Sequence, residues 1–265
     1  SGKVLHDDGI AAEHGFVSVS PYDNDHFFAS WLDGRNTKTK DPRVDGKNLP
    51  MSLRAGLISN TDLSVREYPL DLKVCDCCQT STVKSQDGIL IAYRDRTDEE
   101  IRDITIQKFD PDGSNIIFQS NDNWKINGCP VNGPALSSDG DWDALSWYTA
   151  ADSAGVYMAY GKNASFDKKI KIDNGNPLGR VDIEIADNKA YVSWLEMSNQ
   201  RAEIRLKTID LITESIIDDQ LISFTSPERR SGFPILKLSN EHAYITFTEV
   251  LSADHTTIRL KQIKI

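Results

Sequence analysis

Five segments of the chain share one layout: a stretch marked by Gly, Pro or Cys, a short strand, a polar turn, then a strand ending in an aromatic. They read HGFVSVSPYDNDHFFASWLDGR, CCQTSTVKSQDGILIAYRDR, NGPALSSDGDWDALSWYTA, GRVDIEIADNKAYVSWLE and SGFPILKLSNEHAYITFTE. Their aromatics Trp31, Tyr93, Trp147, Trp194 and Phe247 follow one another at intervals of 47 to 62 residues. A third β-patterned run comes after each aromatic, and four of the five runs carry an arginine at the matching place, Arg54, Arg102, Arg205 and Arg259. A fourth, outer run (SVREYPLDL, NIIFQS, KKIKID, SIIDDQLIS) follows in every unit but the last. A repeat of this period, built from short strands between DG, ND, SDG and ADN turns, specifies an all-β propeller of four-stranded blades. No helical periodicity runs past about two turns. The expected organisation is one domain over residues 1–265, with blades near 13–72, 73–121, 127–173, 178–224 and 229–265. A strand from residues 3–8 is expected to complete the last blade, because propellers are often closed by a strand from the other terminus.

Forty acidic residues against thirty basic ones give a net charge of −10, with no Lys/Arg-rich run, so nucleic acid is not an expected partner. No apolar run approaches the length of a membrane span. The chain starts at Ser-Gly rather than Met, which reads as a processed or engineered product, and an exported location (periplasmic, outer-surface or secreted) is expected.

In a propeller the loops leading into the first strands gather at one rim, where ligands bind. Those loops supply Glu13 and His14; Cys75, Asp76, Cys77 and Cys78; Cys129 and Asn132; Arg180 and Asp182; and Arg229 and Arg230. The second strands end in Asp33 and Arg35, in Arg94, Asp95 and Arg96, in Tyr148, in Glu196 and in Glu249.

The stretches EHGFVSVSP…WLDGR, VCDCCQT…IAYRDR…EIRDI and INGCPVNGPA resemble a group of bacterial sialidase-like propeller proteins, over most of the chain and most specifically in those three places. Sialidase-type propellers have six blades, so the resemblance implies either a further blade upstream or closure with five. It also implies Asp-box turns, of which DPDGSNIIF at 110–118 keeps the position but not the pattern.

Three chemistries follow. The first is hydrolysis of an acidic glycan: Arg35, Arg94, Arg180 and Arg230 are the candidates to hold a carboxylate. Asp33, Asp76 or Asp95 is the candidate acid, and the resemblance implies a tyrosine nucleophile, Tyr148, assisted by Glu196 or Glu249. The bland alternative for each Arg-Asp neighbour is a salt bridge. The second is a Zn or Cu site on Cys75, Cys77, Cys78 and Cys129, or with His14, although C-x-C-C in an extended strand points alternate side chains apart. The third is a disulfide from Cys75 or Cys78 to Cys129, holding neighbouring loops together. A non-catalytic glycan- or metal-binding propeller is the alternative to an enzyme. His6, His26, His242 and His255 read as solvated, and Trp124 and Trp142, outside the repeat, as rim aromatics or sugar platforms.

Overall fold

The computed structural model describes residues 4–38 and 49–265. The chain divides into two compact units, Ser1–Gly133 and Pro134–Ile265. The first unit holds two four-stranded antiparallel sheets with strands in chain order. One comprises β1 (His14–Pro21), β2 (His26–Asp33), β3 (Ser52–Ser59) and β4 (Val65–Asp71); the other β5 (Ser81–Ser85), β6 (Gly88–Arg94), β7 (Ile104–Lys108) and β8 (Asn115–Gln119). The second unit holds two more such sheets and a three-stranded one. These are β9 (Ala135–Ser138) to β12 (Lys168–Lys171) by way of β10 (Asp143–Thr149) and β11 (Gly155–Gly161); β13 (Pro177–Ala186), β14 (Lys189–Ser198), β15 (Arg201–Asp210) and β16 (Ser215–Thr225); and β17 (Ile235–Ser239), β18 (His242–Ser252) and β19 (His255–Lys264). The outer run missing from the last repeat is missing from the last sheet. Residues 4–8 form no strand, and Lys3, where the closing strand was expected to begin, lies outside the described residues.

The repeating aromatics are the core of their sheets. Trp31 on β2, Tyr93 on β6, Trp147 on β10, Trp194 on β14 and Phe247 on β18 are each at most 4% exposed. Trp31, Trp194 and Phe247 lie directly opposite Arg54, Arg205 and Arg259 on the third strands. Each arginine is ion-paired in turn, to Glu67, to Asp219 and Glu203, and to Glu249. Arg102 departs from this register: it precedes β7 and leaves the sheet for another partner. Two anchors are tied at the polar end as well, since the indole N–H of Trp31 donates to Asp33 at 3.0 Å and that of Trp194 to Glu196 at 2.5 Å.

Within each unit successive sheets meet along the first strand of the later one. Ser30 Oγ lies 2.8 Å from Thr82 Oγ1 and the Thr82 N–H donates to Ser18 Oγ. In the second unit the Ile185 N–H donates to Ser137 Oγ, and the Leu236 N–H to Asp182 at 2.7 Å. Apolar side chains fill the space between, with Phe28, Leu53, Ile91 and Tyr93 in one cluster of the first unit and Val156, Ile183, Val192 and Trp194 in one of the second. The first strands β1 and β13 both carry a bulge near their start, at Gly15/Ser18 and Gly179/Asp182. Phe16 and Arg180, each preceded by glycine, take φ of 53° and 55° there. A bulge re-aims the side chains at a strand's rim end, and it turns Arg180 away from the ladder toward the next loop.

Replacing Trp194 by Phe keeps the ring but strips the buried Glu196 carboxylate of its indole donor. The variant is expected to lose about 1–3 kcal/mol in urea unfolding.

Candidate functional site

Residues 76–78 form a turn, not an extended strand, and that turn decides the fate of the cysteines. The sulfurs of Cys75, Cys77 and Cys78 come within 4.8 Å of one another, with Cys75 Sγ 3.8 Å from Cys77 Sγ and 3.5 Å from Cys78 Sγ. Cys75 and Cys78 are buried and Cys77 is half-buried. No disulfide joins any of the four cysteines: the expected bridge to Cys129 is absent, Cys129 being exposed while Cys75 and Cys78 face each other inside. Hydrogen bonds with the Cys77 and Cys78 sulfurs, and then the Arg102 guanidinium donating at 3.3 Å, hold the Cys75 thiol far below the ordinary range against burial. Cys77 is pushed up by its hydrogen bonds to the Cys75 and Cys78 sulfurs and by burial.

A chain of charges supports it. Arg102 also donates to Glu100 at 2.7 Å, Glu100 takes both arms of Arg96, and Arg96 reaches Asp76 at 3.0 Å. Burial works against the Glu100 carboxylate, but the two arginines bring it down to about 2. The Asp76 carboxylate accepts the Met51 N–H as well.

The second and third of the stretches that carry the sialidase-like resemblance meet here. The Arg94 guanidinium, 2% exposed, donates through two nitrogens to the Asn132 carbonyl and through the third to that of Arg102. The Cys75 N–H donates to the Arg94 carbonyl, and Gln79 Oε1 accepts the Gly133 N–H at 3.0 Å. Gly133 allows that approach, since a Cβ there would lie 2.3 Å from the Gln79 carbonyl oxygen. Trp124 lies under the Arg94 guanidinium, 4.9 Å from ring centre to Cζ, and Trp142 donates its indole N–H to Asn188. Both are 7% exposed, which excludes them as sugar platforms.

The other expected site residues are dispersed among local partners. Asp33 is fully buried; burial opposes its ionisation, yet Arg35 and Trp31 hold its carboxyl well below the usual range, the reverse of what a general acid needs. Arg35 spans Asp33, Asp8 and Glu67. Asp95 fits an acid better: burial pushes it up to about 6 against the Arg96 N–H, with Asp71 and Asp103 adding to the rise. Arg180 donates to Ser231 Oγ and to the Gly232 and Pro227 carbonyls, and Arg230 to Glu228 and the carbonyls of Ser252 and Ala253. Glu196 is buried against Trp194 and the Asn174 and Asn176 N–H groups, while Tyr148 packs on the apolar cluster of its unit. Glu249, paired with Arg259, lines a cleft of about 270 Å³ with Arg201, Phe224 and Pro227. His14 meets Asp8 at 2.9 Å and Asp33 at 3.4 Å, and His6, expected in solvent, stacks on it.

No protein-family profile matches the chain, and no curated protein does. Solved structures do. The polysaccharide lyase Uly1 is 12% identical with a TM-score of 0.54, over 93% of this chain and 57% of that one. A neuraminidase-like protein from A/bat/Guatemala/164/2009 is 13% identical with a TM-score of 0.53, over 95% and 71%. TolB from Acinetobacter baumannii is 13% identical with a TM-score of 0.50, over 90% and 50%. The chain thus spans half of the TolB chain and little more than half of the lyase. At these identities the likeness concerns the fold alone, a β-propeller.

Two outcomes are expected. A lowered thiol pKa keeps Cys75 ionised at neutral pH, so near-ultraviolet thiolate absorbance should be present there and vanish only on strong acidification; Cys75→Ser should abolish it, and Arg102→Met should move its loss to higher pH. The raised Asp95 carboxyl binds its proton more tightly folded than unfolded, so ionisation subtracts stability as pH rises from about 4 to about 6. Asp95→Asn, which cannot ionise, should gain thermal stability relative to the parent across that window and hold the gain above it.

Proposed function

We propose that this propeller holds a soft metal ion on the thiols of Cys75, Cys77 and Cys78. The observation that supports the reading is three sulfurs brought within 4.8 Å by one turn. Thiolates are soft donors that favour Cu(I) and Zn(II) over hard cations. Three sulfurs complete a trigonal set for Cu(I), whereas structural zinc takes four ligands. His14 and Cys129, the other expected donors, do not join: His14 is held by Asp8 and Ala12, and Cys129 is exposed. The Arg102 guanidinium beside Cys75 offsets part of the negative charge a loaded thiolate site carries. In a titration with Cu(I) against a chromophoric chelator, one equivalent per chain is expected. Serine at Cys75, Cys77 or Cys78 should weaken binding by an order of magnitude or more and Cys129→Ser should leave it unchanged; retention by the triple serine variant rejects the reading.

A second reading, action on an acidic glycan, is favoured by the cleft at Glu249 and by the fold shared with proteins described as neuraminidase-like and as a polysaccharide lyase. Arg201 lies over the Phe224 ring at 5.0 Å, so a charged fork, an aromatic face and a carboxylate line one cleft. That combination suits a sugar carrying a carboxylate. The reading stays at acidic glycans rather than sialic acid, because the arginines first considered for the carboxylate bind acceptors of their own chain. Calorimetric titration with uronic-acid oligosaccharides should show binding that falls about tenfold or more in Arg201→Ala; equal affinity in parent and variant sinks it.

A further inference from the structure

His6, Asp8 and His14 precede or open β1, and neither reading above uses them. His14 Nδ1 lies 3.0 Å from the Ala12 carbonyl, which can only accept, so Nδ1 carries the hydrogen and Nε2 is the free nitrogen of the neutral ring. Nε2 then faces two carboxylates, Asp8 Oδ2 at 2.9 Å and Asp33 Oδ1 at 3.4 Å. Three lone-pair donors pointed at one another require a cation between them, either a second proton on the ring or a metal ion. His6 decides between the two. Its ring stacks on His14 with centroids 3.7 Å apart, and its Nδ1 is buried without a hydrogen-bond partner, 3.6 Å from Asp8 Oδ1. A proton on His14 satisfies His14 and leaves the His6 nitrogen orphaned. A metal ion satisfies both.

We infer that His6 Nδ1, Asp8 and His14 Nε2 form a second metal site, for a borderline divalent ion such as Zn(II), distinct in donor chemistry from the thiol cluster. The three donor atoms lie within 4.8 Å of one another. A tetrahedral zinc with bonds of about 2.1 Å spaces its ligand atoms about 3.4 Å apart, and the separations of 2.9 Å from Asp8 Oδ2 to His14 and 3.6 Å from Asp8 Oδ1 to His6 lie close to it, so that either carboxylate oxygen can serve. The Nδ1 hydrogen bond to Ala12 is the outer contact that orients a ligating imidazole. The Ile10 N–H does the same for Asp8 at 2.8 Å. Around the site Asp8, Asp33 and Glu67 face Arg35 and Arg54, so with both imidazoles neutral one negative charge is in excess and a dication is not repelled. Ligation requires the His6 ring to tilt off the stack, and His6 sits in irregular backbone where no ladder resists rotation. Two histidines and one carboxylate leave a fourth position open, the ligand count of zinc sites that bind water or substrate.

The test titrates Co(II) into the 265-residue chain with all four cysteines changed to serine, so that the thiol cluster takes no part. One equivalent is expected to bind, with visible d–d bands and no sulfur-to-metal charge transfer; His6→Ala and His14→Ala should each weaken it about tenfold or more. His6 is the informative variant, because it belongs to no strand and its loss does not threaten the fold. Should the serine background fail to fold, the parent chain serves: Zn(II) should shift the imidazole resonances of His6 and His14 and leave those of His242 and His255 in place. Absence of binding in a folded thiol-free chain, affinity unchanged in His6→Ala, or zinc shifts spread over all histidines overturns the inference. Failure of the Cys75 cluster to take Cu(I) does not, since the two experiments share no ligand.

Discussion

A guanidinium removed from water must be met by acceptors of the protein itself, and in the first unit that requirement falls on Arg94. Its nitrogens find two backbone carbonyls, of Asn132 and Arg102, and its face finds Trp124. Because an unmet buried charge costs several kcal/mol, neither loop can move far from it. Once the Arg102 carbonyl is fixed, its side chain is aimed at Cys75 and Glu100; once the Asn132 carbonyl is fixed, Gly133 closes on Gln79, the residue after Cys78. The thiol turn is thus held from both sides by loops that a single buried cation positions.

The same strand end is solved differently in the other blades, and the difference explains where chemistry accumulates. In WLD and WLE an indole N–H is satisfied by the acid two residues later, so the strand end is closed by its own side chains. Tyr93 has no indole. Its hydroxyl turns to Asp71 at 2.8 Å, and the next residue, Arg94, donates to the Asn132 and Arg102 carbonyls. The second blade therefore exports its polar end into the neighbouring loops, and those loops carry the cysteines.

The repeat made the fold legible, because an aromatic every 47 to 62 residues between β-patterned runs has few other solutions. The missing outer run of the last unit, the core register and the three opposed arginines could be read for the same reason. What could not be read were contacts set by turns. As a strand C-x-C-C would send alternate side chains apart, yet the turn at 76–78 folds them together. Arg102 looked like the partner of Arg54, Arg205 and Arg259, but sits outside its strand. His6 looked solvated since nothing in its neighbours in sequence shows that His14, eight residues on, would stack against it. The arginines chosen for a substrate carboxylate satisfy the chain's own acceptors, a role that residue type alone does not separate from ligand binding.

Both metal-capable clusters arise from loops that lead into first strands, one before β1 and one before β5. Such loops cannot complete a ladder, so their polar and sulfur atoms must be satisfied by one another or by something bound. Before β5 the satisfaction is soft: sulfurs and a guanidinium, with carboxylates one step further out. Before β1 it is hard to borderline: imidazoles and carboxylates, with guanidiniums one step further out. Thiolates favour soft ions and imidazole with carboxylate favours borderline ones, so the two donor sets differ in the cation each suits. The loops before the first strands of two neighbouring blades thus present donor sets of two different kinds.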